Sequence, residues 1–317
     1  MMSRFGAKST TDDVLAGKDL AGKTVFITGG NSGLGQETGR ALASKAAQVV
    51  LAGRDSAKLD EAASAIRTDT GSKQVETILC DLGSLESVHA CGVEATERFG
   101  KIDILINNAG IMATPQSSTS DGFESQFGTN HLGHFVLTKA LMPLIEKGAD
   151  KRIVNLSSRG HHFAPVDFDD PNFDNRDYEP FVSYGQSKTA NVLFSVGLEQ
   201  RFGEKGVHAY AVHPGGIRTN LGRHMTEDMQ AALVKSIEER DADFAWKSIP
   251  QGAATSTWAA TAQELEGRGG VYCEDCHVAE VDNESDSGGV RSYALDTGNA
   301  DALWAMSERM TGEAFSA

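Results

Sequence analysis

Tyr184 and Lys188 lie four residues apart in a stretch, Val182 to Phe202, whose pattern predicts a helix. At that separation a phenol and an ammonium share one helix face, one turn apart. A cation so placed favours the phenolate and draws a phenol pKa of about 10 toward neutrality. Such a phenol can trade a proton with an alcohol or a carbonyl oxygen, which is general acid–base chemistry. The bland alternative is an ordinary amphipathic helix, on which Tyr-x-x-x-Lys is common. A second group has the makings of an anion cradle. Thr28-Gly29-Gly30-Asn31-Ser32-Gly33-Leu34-Gly35 follows a short apolar strand and opens a helix. Glycines let the backbone turn tightly and approach a pyrophosphate, whose charge then sits on the helix N-terminus. The spacing is Gly-x-x-x-Gly-x-Gly, not the Gly-x-Gly-x-x-Gly of dinucleotide-binding dehydrogenases in general.

Strands and helices in strict alternation position these groups. Strands are predicted at 24–28, 48–52, 74–79, 102–106, 152–156, 207–212 and 270–272, and helices at 33–47, 56–67, 84–99, about 122–146 and 182–202. The alternation predicts an α/β fold, a single doubly wound Rossmann domain with a central parallel sheet of about seven strands and helices on both faces. The strands are nearly all apolar, as expected when both faces are covered. Ala46-Ala47 stands at the end of the first helix, where a left-handed glycine would be usual. Residues 1–20 read as an N-terminal extension, lying over the surface or disordered, and residues 21–317 as the domain.

Two segments exceed a minimal fold: 159–181, with Val166, Phe168 and Phe173, and 221–250, with Met225, Met229, Phe244 and Trp246. Both leave the carboxyl edge of the sheet and are expected to cover a substrate site. Their aromatic and Met content suggests a bulky apolar substrate. The alternative is that these side chains only pack the segments down.

The 317 residues are 40% apolar and 23% charged, the balance of an ordinary globular protein. A net charge of −15 argues against a nucleic-acid partner or an anionic membrane surface. No apolar run approaches the ~20 residues that span a bilayer. The first twenty residues lack the apolar centre of a secretory signal, so a cytoplasmic protein is expected. Cys273-Glu274-Asp275-Cys276-His277 has the spacing of covalent haem attachment, but that chemistry needs export. No second Cys pair completes a four-ligand zinc site, so Cys80, Cys91, Cys273 and Cys276 are expected as reduced thiols, with no metal.

Taken in order, Thr28-Gly-x-x-x-Gly33-x-Gly35, Asn107-Asn108-Ala109-Gly110, Asn130, Asn155-Leu156-Ser157-Ser158, Tyr184-x-x-x-Lys188 and Pro214-Gly215 resemble the short-chain dehydrogenase/reductase superfamily. Asn130-His131-Leu132-Gly133-His134-Phe135, Tyr184 to Asn191 and His213 to Thr219 are similar to its retinol-dehydrogenase and WW-domain-oxidoreductase-like branch. The resemblance implies a carbonyl–alcohol oxidoreductase using hydride transfer, with four catalytic residues. Tyr184 is the general acid or base. Lys188 lowers its pKa and bonds the nicotinamide ribose. Ser158, three after Asn155 and preferred to its neighbour Ser157, holds the substrate oxygen. Asn130 holds a relay water, the alternative being a polar side chain satisfying nearby backbone. His131 and His134 flank that motif and read as packing or surface residues.

The resemblance also implies the cofactor contacts: Thr28, Gly29, Asn31, Ser32, Gly33, Leu34 and Gly35 at the pyrophosphate, and Asp81 with Leu82 at the adenine. Asn108, Ala109 and Gly110 end the fourth strand, and Pro214, Gly215, Ile217 and Thr219 follow the sixth. The second strand ends Gly53-Arg54-Asp55, with Gly53 where an acid would bind the ribose of NAD. Arg54 suits a 2′-phosphate, so NADP(H) is favoured and NAD(H) is the alternative. An NAD-linked alcohol dehydrogenase and a non-catalytic nucleotide sensor are the competing functions. Relatives commonly pair through the long helices, so a homodimer or homotetramer through 122–146 and 182–203 is expected.

Overall fold

The computed structural model describes residues 4–240, 245–285 and 288–315. Strands β1 (Thr24–Thr28), β2 (Gln48–Gly53), β3 (Val75–Leu79), β4 (Ile104–Asn107), β5 (Arg152–Leu156), β6 (His208–His213) and β7 (Val271–Glu274) are the seven expected. They pair in parallel in the order β3-β2-β1-β4-β5-β6-β7, and a two-residue β8 (His277–Val278) returns antiparallel on β7. The order reverses between β1 and β4, the switch point where ligands of doubly wound sheets bind.

Side chains alternate along each strand, so two cores form. Val25, Ile27, Val49 and Leu51 pack under α2 (Gly33–Ala43), α3 (Ser56–Thr70) and α9 (Ile249–Thr261). Phe26, Val50 and Ala52 pack under α4 (Leu85–Arg98), α6 (Gly133–Ile145), α7 (Pro180–Phe202) and α11 (Thr297–Thr311). The shorter helices are α1 (Thr11–Val14), α5 (Ser125–Phe127) and α10 (Ser292–Leu295), while α8 (Glu227–Arg240) lies in the second extra segment.

Four details depart from expectation or sharpen it. The extension lies on the surface but is tied down: Thr10 and Asp13 make a reciprocal capping box on α1, and Val14 and Leu15 are fully buried. The first helix stops at Ala43, and Ala46 takes the left-handed turn at φ 67°, a strained choice for a residue with a Cβ. The Cys273–Cys276 spacing belongs to a hairpin: Glu274 pairs with His277, and Asp275 and Cys276 form the two-residue turn at φ 47° and 57°. All four cysteines are buried free thiols.

The helix expected over 122–146 is interrupted. α5 runs into a wide π turn, Gly128–Leu132, before α6 begins. Crowding demands glycine at both ends of that turn, since a Cβ would lie 2.6 Å from Thr119 Cγ2 at Gly128 and 2.4 Å from the Leu82 carbonyl oxygen at Gly133.

α7 is buried on every side. Seventeen of its residues are buried and Gln200 alone is exposed. Its outer face meets α11, whose Trp304 ring lies 5.2 Å from Phe135 and 5.9 Å from Phe194.

Candidate functional site

The glycine loop closes through Thr28. Its Oγ1 accepts the backbone N–H of Asn108 at 2.9 Å and of Ala109 at 3.0 Å, clamping the ends of β1 and β4 together. Asn108 returns its amide to the Thr28 carbonyl at 2.8 Å. Gly29 and Gly33 have φ of 64° and 54°, the left-handed region that glycine enters freely. Gly35 is required by space, because a Cβ would lie 2.4 Å from the Gly29 carbonyl oxygen. Ser32 caps α2 without a side-chain hydrogen bond, which leaves the first-turn N–H groups of α2 for an anion.

A cavity of about 1470 Å³ runs from this loop along the carboxyl ends of the strands. Every cofactor residue expected from the sequence lines it: Thr28, Gly29, Asn31, Ser32, Gly33, Leu34, Gly35, Arg54, Asp81, Leu82, Asn108, Ala109, Gly110, Pro214, Gly215, Ile217 and Thr219, with Tyr184 and Lys188. Ser158 lines it as well. Its chemistry and shape fit a dinucleotide, with a glycine cradle over a helix N-terminus at the switch point and room for an extended molecule.

At one end stands Arg54, directly after β2. Asp55 is engaged elsewhere: it caps α3 by accepting the Lys58 N–H at 3.2 Å and pairs with the Lys58 ammonium at 3.3 Å. Burial, and then the nearby Arg54 charge, lower the pKa of Arg223 on the second extra segment. Arg223 shares the cavity wall with Arg54. Asp81 accepts the Gly83 N–H at 3.0 Å, a local turn that leaves it at the rim beside Leu82.

At the other end lie Tyr184, Lys188 and Ser158. Tyr184 and Lys188 are each only 3% exposed, with the Lys188 Nζ 5.6 Å from the centre of the tyrosine ring. Gly160 makes room for that ring, since a Cβ there would lie 2.6 Å from Tyr184 Cε1. Lys188 donates to the Leu156 carbonyl at 3.0 Å. Burial pushes the Tyr184 phenol up to about 12, opposed by a hydrogen bond with Ser158, and pushes Lys188 down to about 8. In the protein without a bound dinucleotide, loss of water dominates the phenol. Ser157 and Ser158 separate cleanly. The Ser157 hydroxyl is buried and donates to the Lys188 carbonyl at 2.8 Å, whereas the Ser158 hydroxyl accepts from Gly160 N–H at 3.0 Å at the cavity wall.

The Asn130 side chain is engaged by protein groups. Its Nδ2 donates to the Ile111 carbonyl and to Ser187 Oγ, both at 2.9 Å, and its Oδ1 accepts Ile111 N–H at 2.9 Å. It lies beneath Gly110, fully buried, pinning the loop after β4. His131 and His134 are both buried, so the surface alternative is excluded.

The extra segments divide by role. Val166 and Phe173 are buried away from the cavity and hold their segment down; Phe181 and Phe163, 5.9 Å apart, line it. Met225 and Met229 are half-buried outside the lining, while Leu233, Ile237 and Trp246 line it. Phe244 falls outside the described residues. Lys247 was not legible as a site residue: it donates to Asp275 at 2.5 Å and lies against Gly215, a contact across 28 residues that no local motif signals. Lys8 of the extension also reaches the cavity wall.

Doubly wound proteins that combine such a cradle with an adjoining acid–base cluster form the class of dinucleotide-dependent oxidoreductases. Comparison with known proteins narrows the class, and the chain belongs to the short-chain dehydrogenase/reductase family. The short chain dehydrogenase family model matches residues 23–169. The chain is 38% identical over 314 residues to short-chain dehydrogenase/reductase prx1 of Penicillium roqueforti, covering 96% of this chain and 90% of that one. It is 39% identical over 294 residues to human retinol dehydrogenase 13, covering 92% and 86% respectively. A crystal structure of an uncharacterized protein from Mycobacterium paratuberculosis superposes with TM-score 0.75 at 36% identity, covering 98% of this chain and all of that one. Among the described residues no helix is long and apolar enough to cross a membrane.

Proposed function

We propose that the chain is an NADP(H)-linked oxidoreductase that interconverts a bulky apolar ketone or aldehyde with its alcohol. The observation that carries this reading is the convergence of Tyr184, Lys188 and Ser158 on the same cavity as the glycine loop. When bound, the dinucleotide supplies or accepts the hydride. The residues of the chain do the rest. Ser158 holds the substrate oxygen, and Tyr184 donates a proton to it in reduction or removes one in oxidation. Lys188 supplies positive charge beside the phenol. Phe163, Phe181 and Trp246 give the substrate end an apolar wall.

Arg54 supports NADP(H) over NAD(H). It stands at the end of β2 with Arg223 in its field, while the neighbouring carboxylate is committed to α3 and Lys58. A guanidinium there complements a 2′-phosphate dianion. The test is a fluorescence titration with NADPH and with NADH, followed by a screen of bulky carbonyl compounds for consumption of the preferred cofactor. Tighter NADPH binding with turnover supports the proposal. NADH preference with alcohol oxidation replaces it with the NAD-linked reading, and binding without turnover of any carbonyl or alcohol replaces it with a nucleotide sensor.

A further inference from the structure

His134 lies on the first turn of α6, inside the core, with both ring nitrogens engaged. Its Nε2 is 2.8 Å from Thr28 Oγ1 and its Nδ1 is 2.9 Å from the Asn130 carbonyl oxygen. The roles in this chain follow from the neighbours. Thr28 Oγ1 already accepts two backbone N–H groups, from Asn108 and Ala109, which fills both lone pairs. Its own proton is therefore directed to His134 Nε2. The Asn130 carbonyl can only accept, so the ring proton sits on Nδ1. One neutral tautomer satisfies every group, and burial reinforces it by holding the imidazole pKa down to about 4.

The chain of bonds does not stop there. Through its side chain Asn130 holds Ile111 N–H and C=O and donates to Ser187 Oγ, and Ser187 donates to the Tyr184 carbonyl at 2.8 Å. The π turn makes the arrangement possible: the Gly133 N–H reaches back five residues to Gly128. Such widened turns occur often at functional sites. His131, three residues earlier, shows what a packing histidine looks like here. It sits among the rings of Phe127, Phe135 and Phe194, bonds Ser307 through Nε2, and has no partner for Nδ1 among the described residues.

We propose that His134 is a positioning residue, a neutral imidazole that couples the dinucleotide loop at Thr28 to the placement of Tyr184 through Asn130 and Ser187. This rests on the oxidoreductase reading and adds to it a route by which the cofactor end and the proton-transfer end are held in one geometry. Hydrogen-bonded networks of this kind are strong when every member is satisfied.

The two arms can be tested separately, because amide side chains replace one ring nitrogen each. In His134→Gln the amide oxygen can stand near the Nε2 position and accept from Thr28. In His134→Asn the amide nitrogen can stand near the Nδ1 position and donate to Asn130. His134→Leu keeps neither arm. The readouts are thermal midpoint, NADPH and NADH affinity by fluorescence, and single-turnover hydride transfer to the carbonyl found in the screen. His134→Leu is expected to weaken dinucleotide binding about fivefold, the worth of one hydrogen bond. It is expected to slow hydride transfer roughly 100-fold, the cost of a small misplacement of reacting groups.

Glutamine is expected to restore binding but not rate, and asparagine rate but not binding. Three folded variants with wild-type binding and rate, or a parallel loss of both that ignores which arm is kept, overturn the coupling. If His134→Leu fails to fold, the glutamine and asparagine pair decides alone. A wild-type chain that binds neither dinucleotide overturns the oxidoreductase reading itself, a result distinct from any of these.

Discussion

Lys188 gives its ammonium to the Leu156 carbonyl at 3.0 Å while standing 5.6 Å from the centre of the Tyr184 ring. The cation is thus near the phenol without a hydrogen bond to it. With burial in control, the phenol rises to about 12 and stays protonated through neutral pH.

The first prediction concerns Tyr184→Phe. Removing the hydroxyl and keeping the ring is expected to lower turnover roughly 10²- to 10⁴-fold, the usual contribution of a placed general acid. Cofactor affinity should not change, since the glycine loop is untouched. Near-normal turnover in this variant would remove Tyr184 from the chemistry.

Direction and pH are linked through the same group. Reduction needs the phenol protonated and oxidation needs it deprotonated. With Tyr184 raised, reduction should be level from about pH 6 to 7, below the loss of the Lys188 charge near 8, whereas oxidation should climb with pH. Profiles of kcat/KM in both directions check this. A reduction rate that falls from about pH 6 to 7 would contradict it.

Arg54 makes the third prediction. Arg54→Ala is expected to weaken NADPH binding by about 10- to 100-fold, the range for a charge-assisted hydrogen bond. NADH binding should be nearly unaffected. Equal loss for both cofactors would assign Arg54 a structural role instead.

The buried histidines should lower stability on mild acidification, against the opposite contribution of Glu124 and Glu274, whose carboxyls burial raises. An imidazole in the unfolded chain takes its proton near 6.5; burial lowers His134 to about 4, His131 and His161 to about 3, and His213 well below its ordinary value. Between 6.5 and about 4 the unfolded chain therefore binds more protons, and stability drops as pH drops, by about 1.4 kcal/mol per pH unit for each such group. Thermal midpoints measured from pH 8 to 5 should be level above about 7 and decline below. A midpoint that rises on acidification over that range would refute the buried neutral histidines.

The α7–α11 contact yields the last prediction. Trp304→Ala removes a ring packed on Phe135, Phe194 and Phe315 and is expected to cost about 3–5 kcal/mol in denaturant unfolding. Removal of residues 297–317 should uncover Phe135, Phe194 and Phe202 and promote self-association, with the intact chain sedimenting without an α7–α7 interface. A wild-type dimer cross-linked through α7 would overturn that.

Much of the frame is legible because it is written in local pattern. Thr24–Thr28 and Gln48–Gly53 are short, mainly apolar runs bounded by polar or turn residues, and covered parallel strands have that appearance. The glycine loop and the Tyr–Lys spacing are legible for the same reason. What local pattern omits is long-range closure. The engagement of Asn130 with Ile111 and Ser187, the Lys247–Asp275 pair, and the burial of His134 against Thr28 each join residues far apart in sequence. The π turn escapes because a local widening from four to five residues leaves no mark in helix propensity. Burial of the Tyr184 phenol is likewise invisible in spacing, which reports a nearby cation but not the loss of water.

The cover that α11 places over α7 has a bearing on how the protein is made. Ribosomes deliver the chain from its N-terminus, so the sheet and the helix carrying Tyr184 and Lys188 emerge well before residues 297–311. Until then Phe135, Phe194 and Phe202 lack the Trp304 ring that shields them. Nascent chains with such exposed aromatic surface are prone to association and are substrates for chaperones. Maturation of the site region is thereby tied to the later emergence of residues 297–311.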